Sequence, residues 1–203
     1  MFKNREEAGE LLTKKLEKII KDQDWTAVAL LRGGIVLGKI ISDYFRIPLF
    51  PLCVKKIGAP SNPELGIGAI TGDKTFYLDE DIIDYLGVSE EYLRKLSEIK
   101  SKEAWELQDK FKDKISLKNK KIVIVDDGVA TGATAICASI YAKKHSAQEI
   151  ILATPVIGEK SLRIIKKYFN KIIALKIAEN LGAIGEFYEH FPQVKDEEVL
   201  ELI

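Results

Sequence analysis

Ile122-Val123-Ile124-Val125-Asp126-Asp127-Gly128-Val129-Ala130-Thr131-Gly132-Ala133-Thr134 is the stretch whose reading decides the fold. Its first four residues are all β-branched and apolar, the composition of a parallel strand buried on both faces. Two adjacent carboxylates, Asp126 and Asp127, stand where that strand ends. A loop of small and hydroxyl residues follows and runs into an apolar helical stretch beginning near Ala133. In an open α/β sheet, ligands bind beyond the carboxyl ends of the strands, so a site belongs here. The loop offers backbone N–H groups, the Thr131 and Thr134 hydroxyls and a helix N-terminus. Together these make an anion receptor, most naturally for a phosphate. The two aspartates accept hydrogen bonds from sugar hydroxyls, directly or through a hydrated Mg²⁺. Carboxylates for a diol beside a nest for a monophosphate describe a ribose 5-phosphate receptor.

Upstream, Ala27 to Leu31 form a second apolar run, followed by Arg32-Gly33-Gly34 and a helical segment from Ile35 to Phe45. Paired glycines let a ligand approach the backbone closely, and Arg32 adds a fork of donors. Pro48 to Val54 reads as a third strand with Lys55 and Lys56 at its end. Alternation points those two lysines to opposite faces, so one of them faces the site. The run from Ile57 to Gly68 holds two prolines and three glycines. That density predicts a loop without regular structure, either functional or mobile.

The central stretch resembles the phosphoribosyl pyrophosphate (PRPP) signature of the type I phosphoribosyltransferases: an apolar strand, two acids, then Ala-Thr-Gly-Ala-Thr. Arg32-Gly33-Gly34 resembles that family's pyrophosphate loop. The Lys56-Ile57-Gly58-Ala59-Pro60-Ser61-Asn62-Pro63-Glu64 run is similar to a poorly characterised subgroup of predicted phosphoribosyltransferases, and with it the resemblance extends from Arg32 to roughly the C-terminus. It implies an α/β fold with a doubly wound, mainly parallel sheet flanked by helices and a small C-terminal hood. It also implies transfer of ribose 5-phosphate from PRPP to a nitrogenous base, with release of pyrophosphate and assistance from Mg²⁺.

Carried over residue by residue, the resemblance makes Asp126 and Asp127 the ribose acids, holding Mg²⁺ indirectly through PRPP and water. Gly128, Val129, Ala130, Thr131, Gly132, Ala133 and Thr134 would hold the 5-phosphate. Arg32, the Gly33 and Gly34 amides and one of Lys55 and Lys56 would stabilise the leaving diphosphate, with Lys56 placed among the catalytic residues and Lys55 among the binding ones. The segment from Ile57 to Gly68 would close over PRPP and exclude water. Ala183, Ile184, Gly185, Phe187 and Tyr188 are candidates for the hood, which is commonly built from both ends of the chain. There the aromatic rings either stack on the acceptor or anchor the tail. Enzymes acting on 6-oxopurines usually carry an acid where this chain has Ala130, so those acceptors are disfavoured and the acceptor stays open. The alternative reading is a non-catalytic PRPP- or nucleotide-binding regulatory protein, against which the intact loop from Lys56 to Gly68 argues. A homodimer is expected by analogy.

Composition is compatible with this reading. The 203 residues suit a single domain, its core about 24–177, with a hood and tail of about 178–203 joined by the N-terminal helix. Lysine plus arginine equals aspartate plus glutamate at 31 each, which leaves no global basic charge for nucleic acid. No apolar run approaches a membrane span, and the polar N-terminus does not read as a signal peptide, so a cytoplasmic protein is expected. Cys53 and Cys137 lie in apolar contexts as core thiols. Helical spacing from Ala8 to Ile20 predicts an N-terminal helix ending before Asp24. Further expectations are a hairpin over Gly68 to Leu78 turning at Gly72-Asp73, and a long helix from Ser89 to Lys112. Strands follow at Glu149 to Val156 and Ile172 to Ile177, with a helix over Ser161 to Phe169 between them. Trp25 and Trp105 read as packing residues, and His145 and His190 have no obvious partners. The Asp196-Glu197-Glu198 run starts a terminal helix and needs no functional explanation.

Overall fold

The apolar run expected to be a buried strand has hydrogen-bonded neighbours on both sides, and the other elements are arranged about it. The computed structural model describes residues 1–111 and 115–203. In chain order the elements are α1 (Arg5–Leu16), β1 (Trp25–Leu30), α2 (Gly34–Phe45), β2 (Leu49–Leu52), β3 (Val54–Ala59), β4 (Asn62–Thr71), β5 (Phe76–Leu78), α3 (Glu80–Leu86), α4 (Glu90–Lys110), β6 (Lys121–Val125), α5 (Ala133–Lys144), β7 (Glu149–Gly158), α6 (Glu159–Ile165), β8 (Lys171–Ala178) and α7 (Asp196–Leu202).

Five strands form one parallel sheet in the order β2-β1-β6-β7-β8. The register sets Val28 beside Ile124 and Ile124 beside Leu152. Because side chains alternate across a strand, the two faces of the sheet feed separate cores. Val28, Ile122, Ile124, Ile150 and Leu152 pack against Ala135, Ile136 and Ala138 of α5. Ala27, Val123, Val125, Ile151 and Ala153 meet Leu12 and Leu16 of α1 with Leu37 and Ile41 of α2. Strand order reverses at β1, since β2 lies to one side of it and β6, β7 and β8 follow on the other. The gap between the carboxyl ends of β1 and β6 is therefore the topological switch point, where this architecture opens a crevice.

A second sheet of three antiparallel strands, β3-β4-β5, lies against α5 and α4, and it departs from the sequence expectation. The segment from Ile57 to Gly68 is a β-hairpin, with Ala59 paired to Asn62 across Pro60 and Ser61. Ile57 and Ile67 are fully buried beneath it, on a satellite core with Ile82, Leu93 and Leu96. The glycines serve close cross-strand contact rather than disorder: a Cβ on Gly58 would lie 2.4 Å from the Pro63 carbonyl oxygen. Pro63 is tolerated because β5 pairs only with Gly68 to Ile70, leaving that end of β4 unpaired on one edge.

The strand expected over Pro48 to Val54 is also divided. β2 ends at Leu52, and after Cys53 the chain enters the second sheet, so Lys55 and Lys56 stand inside β3 rather than at a strand end. The hairpin into β5 turns through Gly72 and Asp73 as expected, with Thr71 and Thr75 bonded across it. Helix α3 has no counterpart among the sequence expectations. The first helix ends at Leu16, although Ile20 beyond it is still buried. The helix expected from Ser161 to Phe169 is instead α6 followed by a 3-10 turn at Lys166–Tyr168. The long helix is α4, capped by Ser89; its expected end at Lys112 lies outside the described residues. Trp25 is core, but Trp105 is 58% exposed, on the wall of an open cleft that it shares with Phe50 and Tyr141.

These burials predict opposite sensitivities. Ile124→Ala should cost about 3 kcal/mol, a cavity at the centre of the sheet. Trp105→Ala should cost no more than about 0.5 kcal/mol, as surface changes do. Denaturant titration of the two variants checks this.

Candidate functional site

The site is assembled from the loops that leave β1 and β6. Asp126 is fixed by its backbone N–H, which donates to the Ala153 carbonyl at 3.2 Å. The Asp127 N–H donates to Asp126 Oδ1 at 3.0 Å, so the two acids share one short turn. Val129 N–H donates to the Val156 carbonyl at 2.9 Å, and Gly158 N–H returns to the Val129 carbonyl at 3.1 Å. The Ser161 hydroxyl donates to the Ala130 carbonyl. The loop is thus stitched to the end of β7. This corrects one expectation: the Val129 amide is committed to protein and its side chain is buried, so Val129 anchors the loop instead of offering a donor. Ala130 and Thr131 are exposed. Gly132, at φ +88°, turns the chain into α5, whose first-turn amides at Ala133 and Thr134 have no carbonyl of their own helix to take them.

Arg32-Gly33-Gly34 abuts the acids directly. The Leu31–Arg32 peptide bond is cis. A Cβ on Gly33 would lie 1.8 Å from Asp127 Oδ2, so only glycine lets the carboxylate rest there. The N-terminus of α2 begins at Gly34, and its partial positive charge faces the acids. The sequence candidates otherwise divide between two sides. Arg32 and Lys55 line one cleft of about 260 Å³ with Lys110 and Asp196. Lys56 projects from the other face of β3, where its side chain and the Thr131 hydroxyl both flank Gly66. Its Nζ is held by Glu64 at 2.9 Å. A further cleft of about 550 Å³ adjoins Ala130 and Thr131, lined also by Ser161, Glu179 and Asn180.

Two side chains that sequence reasoning passed over touch this constellation. Arg5 of α1 donates through Nε to Asp127 Oδ2 at 2.8 Å. Asp196 of α7 meets Arg32 at 3.5 Å and Lys110 at 2.8 Å, so the acidic run does more than start a helix. No local pattern marks either residue; the only available signal is that buried carboxylates call for a cation. The hood does draw on both chain ends. Phe2 N–H donates to the Phe187 carbonyl and Glu189 N–H to the Phe2 carbonyl, each at 2.8 Å. Ile184 packs against Gly128. Of the two roles open to Tyr188, the structure supports anchoring. It is buried, stacked on Phe191 at 4.6 Å, and its hydroxyl donates to the Asp127 carbonyl at 2.7 Å. Phe187 is half-buried, with Lys176 Nζ 5.3 Å from its ring centroid. His145 has partners after all, the Tyr141 carbonyl at 2.9 Å and the Tyr141 ring.

Burial, and next to it the charge on Asp127, holds the Asp126 carboxyl well above the usual carboxylate range. Burial raises Asp127 as well, against the pull of Arg5. An acid whose folded value is raised costs nothing below its unfolded value and destabilises as pH rises through the folded one. Asp126→Asn should therefore raise the melting temperature, and by more at pH 8 than at pH 4. Asp127→Asn should lower it at pH 7, because the amide oxygen still accepts from Arg5 but no longer neutralises its buried guanidinium, a loss of about 1–3 kcal/mol. Melting curves across that pH range test both.

Comparison with known proteins agrees with this architecture. A family model described as the phosphoribosyl transferase domain matches residues 2–188. A protein of Mycobacterium tuberculosis, found in strains CDC 1551 and H37Rv and provisionally named a phosphoribosyl transferase, is 30% identical over 209 aligned positions. The match covers all of this chain but 46% of that relative, so the chain spans about half the length of the curated relatives it matches. The crystal structure of TT1426 from Thermus thermophilus superposes with a TM-score of 0.82 at 26% identity, covering 99% of this chain and 96% of that one. A purine phosphoribosyltransferase from Pyrococcus horikoshii, 18% identical, shares the fold with a TM-score of 0.51 over 93% of this chain and 87% of its own. With a central strand, paired acids and loops in this arrangement, and a family match over nearly its whole length, the chain belongs to the phosphoribosyl transferase domain family.

Proposed function

We propose that this chain transfers ribose 5-phosphate from PRPP to a nitrogenous base, releasing pyrophosphate. The observation that carries the reading is the convergence, at the switch point, of Asp126 and Asp127 with the Arg32–Gly34 loop and the N-terminus of α5. The Ala130–Thr134 segment would take the 5-phosphate on helix-end amides and the two threonine hydroxyls. The aspartates would orient the ribose hydroxyls. Arg32 and Lys55, which share a cleft, would face the diphosphate, and Lys56 stands on the Thr131 side of the hairpin.

In the reaction a ring nitrogen of the acceptor bonds to C1 as the C1–O bond to diphosphate breaks. Positive charge develops on the sugar and negative charge on the leaving group, so fixed charges and positioning supply the catalysis. Mg²⁺ fits this donor set: carboxylate oxygens are hard ligands, and Asp126 and Asp127 would hold a hydrated ion shared with the phosphates of PRPP. Such an ion would neutralise charge on the departing diphosphate. The hairpin of β3 and β4 lies beside Thr131 at Gly66 and would screen the sugar from water. The cleft beside Ala130, Thr131 and Asn180 would take the acceptor, and Ala130 leaves that loop without a carboxylate to serve as a base. A cytoplasmic homodimer completes the reading, by analogy with the family. No helix among the described residues is long and apolar enough to cross a membrane.

The test is pyrophosphate release from PRPP and Mg²⁺ across a panel of purine and pyrimidine bases, with the Asp126→Asn, Asp127→Asn double variant as blank. Release with at least one base, lost in the blank, is the expected result. Release that persists in the blank, or none with any base, would contradict the assignment.

A further inference from the structure

Arg5 lies far along the chain from every segment that forms the site, yet it is tied to one of the two acids. It is the first residue of α1 and only 7% exposed; an arginine buried that deeply must spend its donors on protein acceptors. Its Nε donates to Asp127 Oδ2 at 2.8 Å and its Nη1 to the Pro192 carbonyl at 2.7 Å. Its guanidinium carbon lies 3.7 Å from the centroid of the Phe191 ring. The guanidinium is thus fixed on three sides, and a bond of this length between buried charged partners is directional.

The consequence falls on Asp127. Arg5 occupies one carboxylate oxygen, and the Gly33 backbone walls off the same atom, since a Cβ there would stand 1.8 Å from Oδ2 but 3.1 Å from Oδ1. The Asp127 carbonyl is held in turn by the Tyr188 hydroxyl at 2.7 Å, and Tyr188 stacks on the same Phe191 that lies under Arg5. Side chain and backbone of one acid are therefore clamped by a single cluster of Arg5, Phe191 and Tyr188. A buried ion pair gives little net stability relative to apolar packing, because both charges lose their water. What it does supply is orientation. We propose that Arg5 is a positioning residue of the phosphoribosyl site, setting the Asp127 carboxylate so that Oδ1 is turned to the ribose. This rests on reading Asp127 as a ribose acid.

The inference is tested by titration calorimetry of PRPP with Mg²⁺ against the unaltered chain, Arg5→Met, Arg5→Lys, Asp127→Asn and the Arg5→Met, Asp127→Asn double variant, with melting curves alongside. Arg5→Met should weaken PRPP binding by about tenfold to a hundredfold, the usual cost of losing a residue that orients a ligand-binding group. Arg5→Lys should recover part of that loss; should Arg5→Met fail to fold, a weakening in Arg5→Lys carries the same meaning. The double variant should bind no more weakly than Asp127→Asn alone, since the two residues act as a unit. Wild-type affinity in the Arg5 variants with only the melting temperature lowered would overturn the proposal, as would losses that simply add. Absence of PRPP binding by the unaltered chain would overturn the proposed function and this inference with it.

Discussion

Two adjacent, largely covered carboxylates sit at the carboxyl end of the central strand, and much of the surrounding structure answers that one electrostatic problem. Bringing like charges together at such a place is costly unless one is protonated or paired. Both happen here. Asp126 is pushed towards its neutral form by burial and by its neighbour. Asp127 keeps a cation, Arg5, brought in by the N-terminal helix. The helix can deliver that arginine because Leu12 and Leu16 seat it on the sheet, and the Phe2 backbone ladder locks its leading end to the hood. Gly33 leaves the room that the carboxylate occupies. The ends of the chain thereby become part of the site rather than appendages to it.

Three cations near the site, Arg32, Lys110 and Lys56, are likewise paired within the chain. Arg32 and Lys110 share Asp196, and Lys56 rests on Glu64. These pairs stand open to solvent, where an ion pair gains little over its separately hydrated partners. A diphosphate bearing several charges can displace such partners at small cost. Asp196 also lies beyond residue 188, where the family match ends, so this contact is made by the tail following the shared domain.

Local composition makes the central unit readable. Four β-branched residues, two acids and a glycine-containing turn can be accommodated in few ways, and β6, its loop and α5 fall where the pattern puts them. The hairpin is misread from sequence because glycine and proline locally signal a break in regular structure. In β3 and β4 they serve close strand contact and an unpaired edge, a tertiary circumstance that overrides the local preference. The same holds for Trp105, whose size argues for packing while the fold leaves it on the wall of an open cleft. Arg5 and Asp196 are illegible for a different reason. Their partners are remote in sequence, and an isolated charge near a helix start looks like solvated surface until the fold brings its counterpart. Alternation does separate Lys55 from Lys56: Lys55 lines the cleft of Arg32, while Lys56 lies on the side of Thr131.

The central claim is that the crevice between β1 and β6 is a receptor for a phosphorylated ribose. A crystal structure of the protein soaked with ribose 5-phosphate tests it most directly. The account predicts the phosphate on the backbone of Ala130–Thr134 and the sugar hydroxyls on Asp126 and Asp127. A phosphate seated elsewhere, for instance among Arg32, Lys55 and Lys110 with the sugar clear of both aspartates, would contradict it.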